Sequence, residues 1–102
     1  MAKLRTASAA FEALVARVLR GPARTTPEQR ADAAGEGGGS GVLAPYLEKV
    51  RKHAYKITDE DVAALKRAGI DEETIFELTI AASVGVAKRR LDVAMKAIEE
   101  AS

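Results

Sequence analysis

Between Gly69 and the end of the chain the sequence allows little choice of structure. Gly69-Ile70-Asp71 reads as a tight turn, and Asp71 is an N-cap with Glu72 and Glu73 in the first turn behind it. From there to about residue 100 no proline intervenes, and apolar residues recur at Ile80, Val84, Ala87, Leu91, Ala94 and Ile98. This spacing predicts one long helix. A second apolar line, Ile75, Leu78, Ala82 and Val86, covers only its first half. That half is therefore expected to be central, or to lie at a subunit contact. Gly85 interrupts it at about 1 kcal/mol relative to Ala, to be explained by a close helix crossing or by a kink.

The rest of the chain is also helical in pattern. Leu4, Phe11, Leu14, Val15, Val18 and Leu19 form an apolar face over residues 3–20, which Gly21-Pro22 ends. Thr26-Pro27-Glu28-Gln29 is a capping-box start for a weak helix over 27–34, whose apolar residues are almost all Ala. Leu43 to Lys56 forms a third helix, with Leu47, Val50 and Ala54 on one face and Lys49, Arg51, Lys52 and Lys56 making the exposed face basic. Thr58 caps a fourth, with Asp59, Glu60 and Asp61 in its first turn, Val62 and Leu65 as its apolar positions and Gly69 at its end. No strand-like alternation and no repeat occurs. The expected fold class is all-α, with about four to five helices and a long C-terminal helix.

Composition sets further bounds. At 102 residues the chain is one domain in size. The run Gly35-Glu36-Gly37-Gly38-Gly39-Ser40-Gly41 reads as a flexible linker. It divides the chain into an N-terminal arm (1–34), a linker (35–41) and a main helical body (42–102). It lacks the strand and the Lys-Ser/Thr pattern of a phosphate loop. Of the apolar residues, 21 are Ala and only 27 are larger, so helices can pack closely while few large side chains are buried. Extra burial by self-association through the long helix is the consequence drawn from this.

Several function classes are excluded or disfavoured. There is no cysteine, so disulfides, thiolate metal sites and cysteine nucleophiles are ruled out. One histidine with dispersed acids is not a transition-metal set, so no metal and no cofactor are expected. A net charge of +1 gives no reason to expect nucleic acid or an anionic membrane. Residues 58–82 have helix-turn-helix spacing. The would-be recognition helix, however, opens Asp71-Glu72-Glu73-Thr74 and adds Glu77, carboxylates where phosphates would lie. The uncharged apolar run Leu78 to Ala87 is far short of the ~20 residues that span a bilayer. No apolar signal core is visible near the start, and a cytoplasmic location is the default expectation.

The residues Gly69 to Ala82, Gly-Ile-Asp-Glu-Glu-Thr-Ile-Phe-Glu-Leu-Thr-Ile-Ala-Ala, resemble the turn and long helix of the alkylhydroperoxidase D and carboxymuconolactone decarboxylase superfamily. Leu65-Lys66-Arg67-Ala68-Gly69 fits as well, and the resemblance extends over roughly residues 43–101. It implies an all-helical fold that assembles as trimers or hexamers. Peroxidase members carry Cys-x-x-Cys, a His four residues after the second Cys, and a Gly eight residues after that His. Counting back from Gly69 puts Asp61 at the His position, and Ile57 and Ala54 at the two Cys positions. None matches, so no catalytic residue carries over and dithiol peroxidase chemistry is excluded.

Three residues stand as candidates for a remodelled pocket. His53 lies beside the first of those Cys positions, with Tyr46, Glu48 and Lys49 within two turns, and is a candidate general acid or base. Tyr55 and Asp61 are candidates to line the same pocket. The plainer readings are a partly exposed His on a basic helix, a core Tyr, and an Asp compensating the helix dipole. Lys88-Arg89-Arg90 is either an anion site or a solvated turn, with Arg89 and Arg90 pairing to Asp92 or Glu99 at a subunit boundary. The function expected is a small oligomeric, non-catalytic binding or scaffold module, with a protein partner as a further candidate. A cysteine-independent enzyme, such as a lactone decarboxylase-like protein, is the alternative.

Overall fold

The computed structural model describes residues 2–102, with side chains from residue 6 onward. Among these residues the fold is all-helical: α1 (Ala2–Arg20), α2 (Pro27–Ala34), α3 (Leu43–His53), a single 3-10 turn (Ala54–Lys56), α4 (Asp59–Arg67) and α5 (Glu72–Ala101). Local chemistry sets most of the boundaries. At α2, Gln29 N donates to Thr26 Oγ1 (3.1 Å) and Thr26 N to Gln29 Oε1 (2.9 Å). Thr58 and Asp61 form the same reciprocal pair at α4. Asp71 Oδ1 accepts from Thr74 N at 2.7 Å to open α5.

The turn between α4 and α5 is a complete Schellman motif. Ile70 N donates to Leu65 O (3.1 Å) and Gly69 N to Lys66 O (3.0 Å). Gly69 sits at φ 93°, a left-handed conformation that glycine adopts without strain. Ile70 then packs on the core that Leu65 belongs to. The two helices are thereby fixed in direction by residues 65–71 alone.

The core gathers Ala33, Tyr46, Leu47, Val50, Leu65, Ile75, Leu78, Ala81 and Ala82. α5 runs through it, and its core-facing side is Ile75, Leu78, Ala81, Ala82 and Gly85. Tyr46 is satisfied there by Thr79, 2.7 Å away. Because the Thr79 hydroxyl gives its proton to Ile75 O (2.6 Å), Tyr46 is the donor. Of the two apolar lines on α5, the shorter one therefore faces inward. The cleaner line from Ile80 to Ile98 lies roughly half a turn away, on the opposite side of the helix. Ile80, Ala87, Ala94 and Ile98 are exposed along it, and Val84 and Leu91 are only half-buried.

The N-terminal segment is part of this core. α2 packs across α5 where Gly85 has no side chain; a Cβ built there would stand 2.1 Å from Ala34 O. The close-crossing explanation of Gly85 holds, and Ala33 is 1% exposed beneath it. The Gly-rich run is also tied down. Gly39 N donates to Asp32 Oδ2 (2.7 Å), and Gly38 O accepts from Arg51 Nη2 (2.7 Å). α1 lies antiparallel to α5, held by Lys88–Glu12 at 3.3 Å, with Arg24–Asp71 at 2.6 Å fixing the connection that follows α1. Arg30, buried in α2, reaches back to Val18 O in the last turn of α1 (2.8 Å).

Glu77 fastens the α1–α2 connection onto α5. Its Oε1 accepts from Thr25 N (2.8 Å) and Thr25 Oγ1 (2.6 Å), and its Oε2 from Arg24 N (3.1 Å). These donors, the Thr25 hydroxyl first, hold its carboxyl below the ordinary value of 4.5. A carboxyl depressed on folding contributes stability that is complete above about pH 4.5 and is lost as pH falls through its folded value. Glu77→Gln is thus expected to lower the melting temperature at pH 7 and to flatten the acid limb of the stability curve below 4.5. An unchanged acid limb in a pH series of thermal melts would remove Glu77 from this role. Gly85→Ala should lose about 1–3 kcal/mol in urea unfolding through overpacking, although Ala is the better helix former. A stabilised variant would mean that α2 and α5 are not in contact there.

Candidate functional site

The three candidate residues do not converge. His53 is the last residue of α3 and is exposed. Tyr55, on the 3-10 turn, is 80% exposed, so it is neither core nor pocket wall. The two rings meet edge to face at 6.1 Å, and Lys56 Nζ lies 5.8 Å from the Tyr55 ring centre. This is a surface cluster with a cation on one ring. The physical reason is the chain's own break: α3 stops at His53, and the tight turn that follows swings residues 54–56 outward. Ala54, at the first of the two Cys positions implied by the resemblance, is exposed with them.

Asp61 lies elsewhere, at the start of α4. Its Oδ2 accepts from Thr58 N (2.9 Å) and from Lys49 Nζ (2.9 Å). The Thr58 amide, then the lysine, holds the carboxyl below its ordinary 3.8. A carboxylate so committed is a helix cap and an ion-pair partner, not a base poised to take a proton. It lines a shallow cleft of about 320 Å³ with Val42, Pro45, Tyr46, Lys49, Ala64 and Leu65. Neither His53 nor Tyr55 lines that cleft.

A larger cleft, of about 610 Å³, opens between α3, the Gly-rich run and α5. Its walls are Glu48, Arg51 and Lys52 of α3, Glu36 and Gly37 of the connection, and Val86, Arg89, Arg90 and Val93 of α5. Arg51, with its side chain 3% exposed, donates to Ala33 O (3.1 and 3.2 Å), to Gly38 O (2.7 Å) and to Glu48 (3.0 Å). Arg89 donates to Ala34 O at 2.6 Å and meets Glu36 at 3.4 Å. Both guanidiniums therefore cap the C-terminal carbonyls of α2, where a cation also complements the helix dipole. Glu48 serves two cations. Its contact with Lys52 (2.6 Å) is the main reason its carboxyl sits below the ordinary range and the lysine above its own.

These placements correct the reading of the basic residues. Arg51 belongs to the buried framework, not to a solvated basic face. Lys88, not Arg89 or Arg90, pairs with Asp92 (2.9 Å). Arg90 has no ion pair or hydrogen bond among the described residues. A sequence offers no signal for this, since a cation that ends on the carbonyls of a helix fifty residues away looks like any surface Arg. No three His, Asp or Glu side chains converge on a metal-sized point, and no helix is long and apolar enough to cross a membrane, among the described residues.

What the cleft offers chemically is positive charge beside valine, its two carboxylates, Glu36 and Glu48, already facing cations. Compared with family models, with curated proteins and with solved structures, the chain finds no match in any of the three.

Proposed function

We propose that this protein is a small helical module that acts by assembly and binding, not by catalysis, and that copies associate through α5. The observation that carries the reading is the outward face of that helix. Ile80, Val84, Ala87, Leu91, Ala94 and Ile98 are spaced alternately by four and three residues, the 3.5-residue repeat of a helix-pairing seam. Ala87 and Ala94, two of the six seam positions, let a partner helix approach closely. Phe76, 61% exposed, extends the apolar face by one turn.

The dimensions of the chain support the same reading. Its surface is 6696 Å². A compact monomer of this mass is expected to expose about 5,500 Å². Its radius of gyration is 15.3 Å, against about 13 Å for a compact chain of this length. The surplus surface is of the order that one side of a stable interface buries, roughly 800 Å². The resemblance of Leu65–Ala82 to the alkylhydroperoxidase D and carboxymuconolactone decarboxylase superfamily points to a trimer or hexamer. On this proposal the chain is a cysteine-free, diverged relative that kept the assembly helix and lost the dithiol centre.

Light scattering coupled to size exclusion is expected to give three or six times the chain mass of 10.8 kDa at micromolar concentration. The double variant Ile80→Glu/Ala87→Glu should run as a helical monomer, its folding checked by circular dichroism. A wild-type chain that stays at 10.8 kDa throughout the micromolar range contradicts the proposal.

A further inference from the structure

We propose that the cleft between α3, the Gly-rich connection and α5 is a binding site for a small organic dianion: a doubly charged oxyanion head, phosphate or dicarboxylate, on a compact apolar body. Four cations face it, Arg51, Lys52, Arg89 and Arg90, against two carboxylates, Glu36 and Glu48. The imbalance is greater than the count, because much of the cationic hydrogen bonding ends on neutral groups. Arg51 directs three of its hydrogen bonds to the backbone carbonyls of Ala33 and Gly38, and Arg89 one to that of Ala34; these carbonyls hold the guanidiniums in place and carry no formal charge to neutralise them. Positioned in advance, they lose little side-chain freedom when an anion arrives. Glu48 is shared between Arg51 and Lys52.

The remaining groups are placed to take part. Arg90 is exposed and has no partner among the described residues. Glu36 is 82% exposed and meets Arg89 at only 3.4 Å, so an anion of higher charge can displace it. Val86 and Val93 supply apolar wall, and Val93, at 71% exposed, has nothing covering it. A volume of about 610 Å³ lies within the range of small-molecule sites, roughly 300–1,000 Å³, and is generous for an inorganic ion alone. The cleft is built within one chain, so this inference does not rest on self-association.

The test is an amide-resonance titration of the full chain at pH 7.5 and low salt with four probes. Phenyl phosphate and phenylsuccinate carry both features; inorganic phosphate carries only charge and benzyl alcohol only the apolar body. At least one of the first two should shift residues 36–37, 48–52 and 86–93 and bind about tenfold or more tighter than inorganic phosphate and benzyl alcohol. Which of the two prevails separates the phosphate head from the dicarboxylate. Arg90→Gln and Lys52→Gln, which leave the α2 caps intact, should each weaken binding about fivefold or more. Lys56→Gln, outside the cleft, should leave it unchanged. Repeating the titration on Ile80→Glu/Ala87→Glu should give the same affinity, so that a failure of assembly and a failure of binding remain distinct. No shift at the cleft up to about 10 mM, binding as tight for inorganic phosphate, or indifference to Arg90→Gln would each overturn the proposal.

Discussion

The crossing of α2 over α5 is the contact on which the rest depends. It is possible only because Gly85 presents bare backbone to Ala34, at a distance where a Cβ would stand 2.1 Å from the carbonyl oxygen. α2 has eight residues, well below the ~12–15 that hold a helix in water unaided. Its persistence is therefore tertiary: Ala33 is buried in the core and Arg51 and Arg89 take up its last carbonyls. Position follows from this for everything attached. Arg30 carries the end of α1, and the Gly-rich connection is brought against α3, which gives the larger cleft its third wall.

The same contact explains where the charges lie. Burying a guanidinium is costly unless its donors are all met and its charge compensated. Arg51 meets the first condition through Ala33, Gly38 and Glu48, and the second only in part, since Glu48 also serves Lys52. Framework and ligand chemistry are thus the same atoms seen from two sides. The arginines that close α2 leave net positive charge facing the cleft.

Legibility in the sequence followed the range of the interactions. The caps at Thr26, Thr58 and Asp71 and the Gly69 turn are written within three to five neighbouring residues, and the helix ends they specify are the ones the chain adopts. Periodicity revealed two apolar lines on α5 but carries no label for inside and outside. The longer line turned out to face away from the core, while the inner side narrows from Ile75 and Leu78 to Ala81, Ala82 and Gly85, as a close crossing at Gly85 requires. Composition made Gly35–Gly41 look like a free tether, because the groups that pin it, Asp32 and Arg51, act through tertiary contacts. For the candidate site, the sequence placed Asp61 in the first turn of α4 as a dipole-compensating acid, and its reciprocal bonds with Thr58 lie within that same turn. The exposure of His53 and Tyr55 depends on where α3 breaks, and the inward course of Arg51 and Arg89 depends on α2; neither is a local property.

Both the α2–α5 crossing and the larger cleft require α2 to be an integral part of the fold. Native-state amide hydrogen exchange measures this directly. The amides of residues 31–34 should be protected to the same free energy as those of Ile75–Ala82, so that both open only with global unfolding. If residues 31–34 exchange close to the unprotected rate while the central turns of α5 stay protected, the crossing at Gly85 is not the contact that organises the molecule.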